Sequence, residues 1–443
     1  MEIQFEKKEN ASALLTISMA PADYLSDYQS KIKDYSKRAN IKGFRPGKVP
    51  PALVEKMYGQ ALKSDAISSV LNKSIDKYLR DNGIDILGDL ISEEKVSEQN
   101  ENPDQLKFAF RMAMRPEISL PAIVDIKMSY PEIQVEDARM DDFIQDLRKR
   151  FGKSVEAESI SEGDLIKGNL KAADGTFETE SAFPFSRINS GYQSQFSGKK
   201  IGDTIEFPIE EAFDQDEIKY VTNTFREKDR KFSGLFRLEI TAVNSTEPAA
   251  LDTDFFDKAV GPGNAENEEQ FRNKIREMFM NTYEGESRAY FEMAVEKYLM
   301  DNCPFELAED VISEVIQRRS EGKMAEAEVK DFIPRYIRSM KLSLIKSRVA
   351  EENNLVITED DLMDAARKQV AADFQHMGYG NLGEEFMEKY AVSYLQDKER
   401  NNRDRMAEKS LTAKIAALIL EKSSVVRKPV SIDAFNQLVE DLN

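Results

Sequence analysis

The chain has 443 residues, 41% of them hydrophobic, which is enough to bury sizeable cores and at common domain sizes divides into roughly two to four domains. Lysine and arginine total 62 against 81 acidic residues, a formal net charge of −19, so general attraction to nucleic acid or to an anionic membrane is not expected and any contact with a polyanion has to be local. A single cysteine, Cys303, and a single histidine, His376, rule out an internal disulfide, a cysteine zinc cage and a histidine-rich metal site, and leave at most one histidine for a catalytic triad. No catalytic residue, metal or cofactor is expected.

Met1-Glu2-Ile3-Gln4-Phe5-Glu6-Lys7-Lys8 has no apolar core after a basic start, and no later run reaches the apolar length that spans a bilayer. The expected location is the cytosol, with no membrane partner. The first part of the chain reads as strand, strand, helix, exposed loop, helices and a returning strand. Between Pro21 and Asn40, Tyr24, Tyr28, Ile32 and Tyr35 recur at spacings of four and three, which lines one side of an amphipathic helix.

Residues 30 to 48 reverse the global charge. Lys31, Lys33, Lys37, Arg38, Lys42, Arg45 and Lys48 face one carboxylate, Asp34. Such a patch favours phosphate, because cations that neutralise it release counterions. At the end of the helix, Ile41-Lys42-Gly43-Phe44-Arg45-Pro46-Gly47-Lys48-Val49-Pro50 carries two glycines and two prolines, which stop the helix and predict a protruding tip. Phe44 beside Arg45 joins an apolar contact to a guanidinium that can bridge carboxylate or phosphate. The plainer alternative has Phe44 packed into the local core and the lysines merely solvated.

Ser97 to Asp104 reads as an exposed turn. It precedes a period-two strand with Leu106, Phe108, Phe110, Met112 and Met114 on one side and Lys107, Ala109, Arg111 and Ala113 on the other, the pattern of a half-buried strand. Arg115-Pro116 ends this unit. Residues 117–150 contain Pro121, Pro131 and a charged helix around Met140, Phe143, Ile144 and Leu147, which suits a linker arm. Residues 151–246 are β-rich, with a hairpin signal at Asp174-Gly175 and alternation from Phe236 to Val243.

Residues 247–443 read as helical almost throughout, with Phe271, Ile275, Met278 and Thr282 on one face and Phe386, Tyr390 and Tyr394 on another. Thr358 and Ser431 have the position and chemistry of helix N-caps. Met278, Phe279, Met280, Phe291, Met293, Met340, Phe374 and Met377 divide, in a way periodicity cannot assign, between core and a polarizable surface able to accept varied apolar segments. No phosphate loop of the Gly-four-Gly-Lys-Ser/Thr form is present, so no ATP-driven step is expected.

Gly43-Phe44-Arg45-Pro46-Gly47-Lys48-Val49-Pro50 resembles the ribosome-docking signature of trigger factors, Gly-Phe-Arg-any-Gly-Lys-any-Pro, at every fixed position, and Tyr58-Gly59 follows at the family's usual distance. The order of textures along the whole chain is similar as well. The resemblance implies an α+β multidomain fold. Residues 1–116 would be an α/β ribosome-docking domain, 117–150 a linker arm, 151–246 a small β-rich domain like FK506-binding prolyl isomerases, and 247–443 an all-α chaperone domain.

It also implies a passive, ATP-independent chaperone of nascent or unfolded polypeptides at the ribosomal exit tunnel. Gly43, Phe44, Arg45, Pro46, Gly47 and Lys48, with Lys42 added for its charge, would contact a ribosomal protein and adjacent ribosomal RNA, and a homodimer off the ribosome is admitted. The enzyme-centred alternative is a peptidyl-prolyl cis-trans isomerase acting on folding intermediates. Asp174 to Glu178, Gly198 to Asp203 and Phe236 to Val243 resemble the isomerase hairpin, glycine turn and closing strand. Where the family carries an Ile-Pro-Gly-Phe-Glu floor, this chain has Ile188 to Phe196, with Tyr192 and Phe196 as the available aromatics. Weak or absent isomerase activity is expected.

Overall fold

In a computed structural model of the chain, residues 1–42, 44, 47–93, 105–225, 231–378, 383–397 and 400–442 are described. They form two compact units, one of residues 1–130 and 289–426 and the other of 131–288 and 427–443. Each is taken by itself. The Ser97 to Asp104 turn expected from sequence lies outside the described residues.

The first unit begins with β1 (Glu2–Lys7), β2 (Ser12–Met19), α1 (Pro21–Arg38), α2 (Pro51–Asp81), β3 (Ile86–Ser92) and β4 (Leu106–Met114). The strands make an antiparallel sheet in the order β1-β2-β4-β3. Alternation in β2 sends Ala13, Leu15, Ile17 and Met19 into one face, where they meet Tyr24 of α1 and Leu71, Ile75 and Leu79 of α2. A single 31-residue helix, α2, stands where several were expected.

The opposite face of β4 is not open to solvent as a half-buried strand would have it. Ala109 and Ala113 are fully buried, and Ala113 packs with Val311, Ile312 and Val315 from a helix far along the chain. Arg111 on the same face reaches Glu93 (2.8 Å), Asp310 (2.8 Å) and Glu314 (2.5 Å). Three carboxylates thus surround a half-buried guanidinium.

β5 (Lys127–Ile133) and α3 (Asp137–Arg150) follow. Residues 117–150 are packed rather than free. Ile118, Ile126 and Tyr130 enter the core of the first unit, while Met140 and Ile144 enter a core of the second with Phe255, Phe256 and Phe271. Apolar side chains spaced three and four apart on α3 are what commit it to a neighbour.

The β-rich segment comprises β6 (Lys153–Glu156), β7 (Leu165–Ala172), β8 (Glu178–Pro184), α4 (Ser190–Phe196), β9 (Thr204–Pro208), α5 (Ile209–Ala212), α6 (Gln215–Val221) and β10 (Leu235–Glu247). Its sheet runs β6-β10-β7-β8, with β9 also on β10, and every described pairing is antiparallel. At the β7–β8 turn, Thr176 N donates to Asp174 Oδ1 at 3.0 Å and Gly175 takes φ 75°, a conformation that costs glycine little. Gly168 is required for another reason: a Cβ there would lie 2.4 Å from the Glu239 carbonyl oxygen, beside the bulge at Ile240/Ala242.

The remaining elements are α7 (Thr253–Val260), α8 (Glu268–Asn302), α9 (Glu309–Ser320), α10 (Glu326–Asn353), α11 (Glu359–His376), α12 (Glu384–Gln396), α13 (Asn402–Lys422), β11 (Ser424–Val430) and α14 (Ile432–Leu442). The strand β11 is the exception in a segment expected to form an all-α domain. Within the second unit, Gln134 N donates to Val430 O at 2.9 Å and Arg427 pairs with Glu132 at 3.0 Å. Among the described residues no helix is long and apolar enough to cross a membrane, and no cluster of metal-binding side chains occurs.

In the helical part of the first unit, Phe291, Val295 and Leu299 of α8 pack with Ile345 and Val349 of α10 and Ile415 and Ile419 of α13. Lys346 is buried there, bonded to Glu296 (3.2 Å), Glu408 (2.8 Å) and Thr412 Oγ1 (3.1 Å), so its charge is compensated. Cys303 lies in the same core, and burial pushes its thiol above the ordinary range, which makes it inert packing.

Both expected caps are present. Ala434 N donates to Ser431 Oγ at 3.2 Å, and Asp361 N donates to Thr358 Oγ1 at 3.3 Å while Asp361 Oδ2 accepts from Thr358 N at 2.7 Å. Lys414 Nζ, 2.6 Å from Asp361, is the main reason, with the Thr358 hydrogen bonds, that the Asp361 carboxyl is lowered to about 2. A depressed folded value stabilises above the unfolded pKa near ~4 and loses that stabilisation as pH falls through about 2. Asp361→Asn is expected to cost about 1 kcal/mol near neutral pH. Thermal unfolding of both proteins should show that difference constant down to about pH 4 and shrinking below it.

Candidate functional site

The charged loop is held at its base by the α1–α2 hairpin. Ile32 and Ala39 on one side and Val49 and Val54 on the other bury together, with Tyr28, Ile41, Tyr58 and Leu62 against them. Ser36 Oγ donates to Val49 O at 2.5 Å, and Ala39 N donates to Tyr35 O at 2.7 Å, which closes the helix. Gly59 lets the two helices approach, since a Cβ would sit 3.0 Å from Tyr28 Oη. The neighbouring Tyr58 ring meets Tyr35 with centroids 4.9 Å apart. The Tyr58-Gly59 pair therefore has a packing reason.

With Ile41 and Val49 turned inward, Lys42, Phe44 and Lys48 between them turn outward. Phe44 is 41% exposed, and its N–H donates to Ile41 O at 3.0 Å. Lys42 and Lys48 are exposed as well. Gly47 has φ 79°, and a Cβ there would lie 3.1 Å from the Lys37 carbonyl oxygen, so both conformation and space require glycine. Gly43, Arg45 and Pro46 lie outside the described residues. Of the two sequence readings, the one with Phe44 sealed in the local core does not match this exposure.

Charge at the loop is only partly compensated. Lys31 pairs with Asp65 at 2.5 Å and Lys37 with Asp34 at 3.2 Å. Lys33, Arg38, Lys42 and Lys48 have no carboxylate at ion-pair distance among the described residues. An exposed ring beside uncompensated cations can rest on an apolar protein surface while neighbouring phosphates neutralise the charge.

In the β-rich domain the aromatics are mostly core. Phe196 is fully buried, with its ring 5.2 Å from Phe207, and Phe213 lies 5.7 Å from Phe207 and 5.2 Å from Phe183. Tyr192 is half-buried, and its hydroxyl donates to Glu211, which raises its pKa. Sequence reasoning did not find Arg187, whose guanidinium stands 3.8 Å over the Tyr220 ring and pairs with Glu217. No local spacing links these positions.

Of the Met and Phe residues considered for an apolar surface, Phe279, Met340 and Phe374 are half-buried. Phe291 is core, whereas Met278, Met280, Met293 and Met377 are exposed. The face of Phe386 and Tyr390 on α12 is also exposed, and both rings meet Phe374 of α11 at 5.7 and 5.0 Å. On α8 the buried side differs from expectation: Phe271 and Ile275 are buried, but Met278 and Thr282 are exposed, and Tyr283 and Ser287 are buried instead.

Three family models match in consecutive segments: Bacterial trigger factor protein (TF) over residues 1–147, the FKBP-like domain of probable trigger factor over 154–248, and its C-terminal domain over 287–439. The trigger factor of Rickettsia africae is 24% identical over 405 residues, covering 83% of this chain and 84% of its own length. That of Rickettsia canadensis is 25% identical over 389 residues, covering 82% and 83%. A solved trigger factor chaperone, described for promiscuous substrate recognition in folding and assembly, aligns with TM-score 0.58 at 14% identity, covering 95% of this chain and 100% of its own, a likeness of fold. The chain belongs to the trigger factor family of ribosome-associated chaperones.

Proposed function

We propose that this chain docks beside the ribosomal exit tunnel through Lys42, Gly43, Phe44, Arg45, Pro46, Gly47 and Lys48 and there holds nascent polypeptides without ATP. The observation that carries the reading is an exposed Phe44 between Lys42 and Lys48, which have no carboxylate at ion-pair distance among the described residues, on a chain of net charge −19. Phe44 and Arg45 would engage a ribosomal protein, and the lysines would neutralise adjacent ribosomal RNA. In this reading residues 1–116 dock, 117–150 and 151–246 connect and extend, and 247–443 supply most of the client surface in the cytosol. Exposed Met293, Met377, Phe386 and Tyr390 offer flexible and aromatic contacts to clients of varied shape.

Cosedimentation with purified ribosomes tests the docking assignment. Phe44→Ala/Arg45→Ala/Lys48→Ala should lower affinity at least tenfold and, having lost two cations, flatten the dependence of log affinity on log salt by roughly 1.5. Wild-type binding by the triple variant would remove the assignment.

The β-rich domain, in the same reading, is a prolyl-isomerase frame with little isomerase activity. A site that speeds rotation about the roughly 18–20 kcal/mol imide barrier has to receive proline against exposed apolar walls, and Phe196 is sealed in the core while Tyr192 is engaged by Glu211. In proline-limited refolding of a model client, catalytic amounts of the intact chain should accelerate the slow phase less than about twofold. Acceleration of tenfold or more would restore the enzyme-centred alternative.

A further inference from the structure

The outward side of α10 carries a second surface in which aromatic rings and free cations coincide. Val329, Ile333, Ile337 and Met340 take its inward side into the core with α9. Phe332 and Tyr336, one turn apart, remain 37% and 39% exposed, with ring centroids 5.5 Å apart. Two exposed rings at that spacing form a ridge of about one helical turn.

The charge around the ridge runs against that of the chain. From Arg318 to Lys341 there are seven cations and four carboxylates, on a molecule of net charge −19. Arg318, Arg319, Lys330 and Lys341 are paired with Glu314, Asp89, Glu326 and Glu309. Arg335 and Arg338 are exposed and have no carboxylate at ion-pair distance among the described residues. Arg335 Nε donates to the Asp331 carbonyl, at 3.1 Å. Another exposed aromatic group, Phe386 and Tyr390 with Phe374, lies on helices that carry Asp373, Glu384, Glu385 and Glu388.

We infer that the Phe332–Tyr336 ridge with Arg335 and Arg338 is a docking surface for extended client segments in which aromatic or large aliphatic residues are flanked by carboxylates. Apolar contact with the rings supplies the non-directional part of the affinity. The guanidiniums supply selection, since each can bridge a carboxylate through two parallel N–H donors. On an acidic chaperone such a surface has a physical use: acid-flanked segments are repelled by most of the molecule and accepted here. RNA is the poorer match, because its affinity grows with the number of cations that displace counterions, and from Arg318 to Lys341 only Lys323, Arg335 and Arg338 have no carboxylate at ion-pair distance among the described residues. The inference rests on the chaperone reading and adds a client class to it.

Fluorescence anisotropy with the full chain tests it, using short labelled peptides that share a Phe-Leu-Tyr core flanked by aspartates or by lysines, with oligouridine as competitor. Exposed arginine–carboxylate pairs are individually weak, so Arg335→Glu/Arg338→Glu should weaken the aspartate peptide by roughly three- to tenfold and leave the lysine peptide no weaker. Phe332→Ser/Tyr336→Ser should weaken the aspartate peptide similarly, and both variants change exposed side chains and should keep the wild-type Tm. Equal loss for the two peptides, or an aspartate peptide unaffected by the arginine reversal, overturns the inference and leaves the chaperone reading standing. Displacement by oligouridine that the same reversal abolishes overturns it in favour of RNA. Failure of both peptides to bind the wild type removes the client-binding reading along with it.

Discussion

The account depends on the closure at the base of the α1–α2 hairpin. Burial of Ile32, Ala39, Val49 and Val54, with the Ser36 hydroxyl on the Val49 carbonyl, fixes both ends of the segment that joins the two helices. Fixing the ends reduces the conformational freedom of the tip in the free protein. It also decides orientation: with Ile41 and Val49 inside, Lys42, Phe44 and Lys48 have nowhere to go but out. Gly47 and Gly59 serve this closure directly, one by accepting a positive φ under the Lys37 carbonyl and the other by making room for Tyr28.

Electrostatics then gives the exposed tip its meaning. A chain of net charge −19 is repelled by RNA over most of its surface, and that repulsion is screened beyond about 8–10 Å at physiological salt. A local group of uncompensated cations can therefore act alone and orient the molecule. Some cations elsewhere are held by carboxylates instead. Arg111 serves three carboxylates, and Lys346 is buried between Glu296 and Glu408. The contrast between paired and unpaired cations separates structural charge from the charge available to a partner.

Much of this was legible in the sequence because the signals are local. Helix caps at Thr358 and Ser431, the Asp174-Gly175 turn and the amphipathic run from Tyr24 to Ile32 need only neighbours in the chain. The misses involve partners distant in sequence. Alternation in β4 could not show that Ala113 faces a helix about two hundred residues on, since period two reports sides and not what covers them. β3 was missed because Gly88, at φ 83°, and an irregular register break the alternation of Ile86 to Ser92. On α8 a window of a few turns placed Met278 and Thr282 on the buried side, whereas the stripe through Phe271, Ile275, Tyr283 and Ser287 repeats at four. Four residues overshoot a full turn by about 40°, so such a stripe drifts around the helix.

For the docking loop, the residue types and the glycine positions were readable, and exposure was not. Sequence alone left Phe44 divided between a core residue and a contact residue, because both readings satisfy the same pattern. The most direct measurement is hydrogen–deuterium exchange of the intact chain with and without ribosomes at low salt. Protection is expected to concentrate on residues 37–50 and to fade as salt is raised. Strong protection elsewhere with 37–50 unchanged would contradict the account.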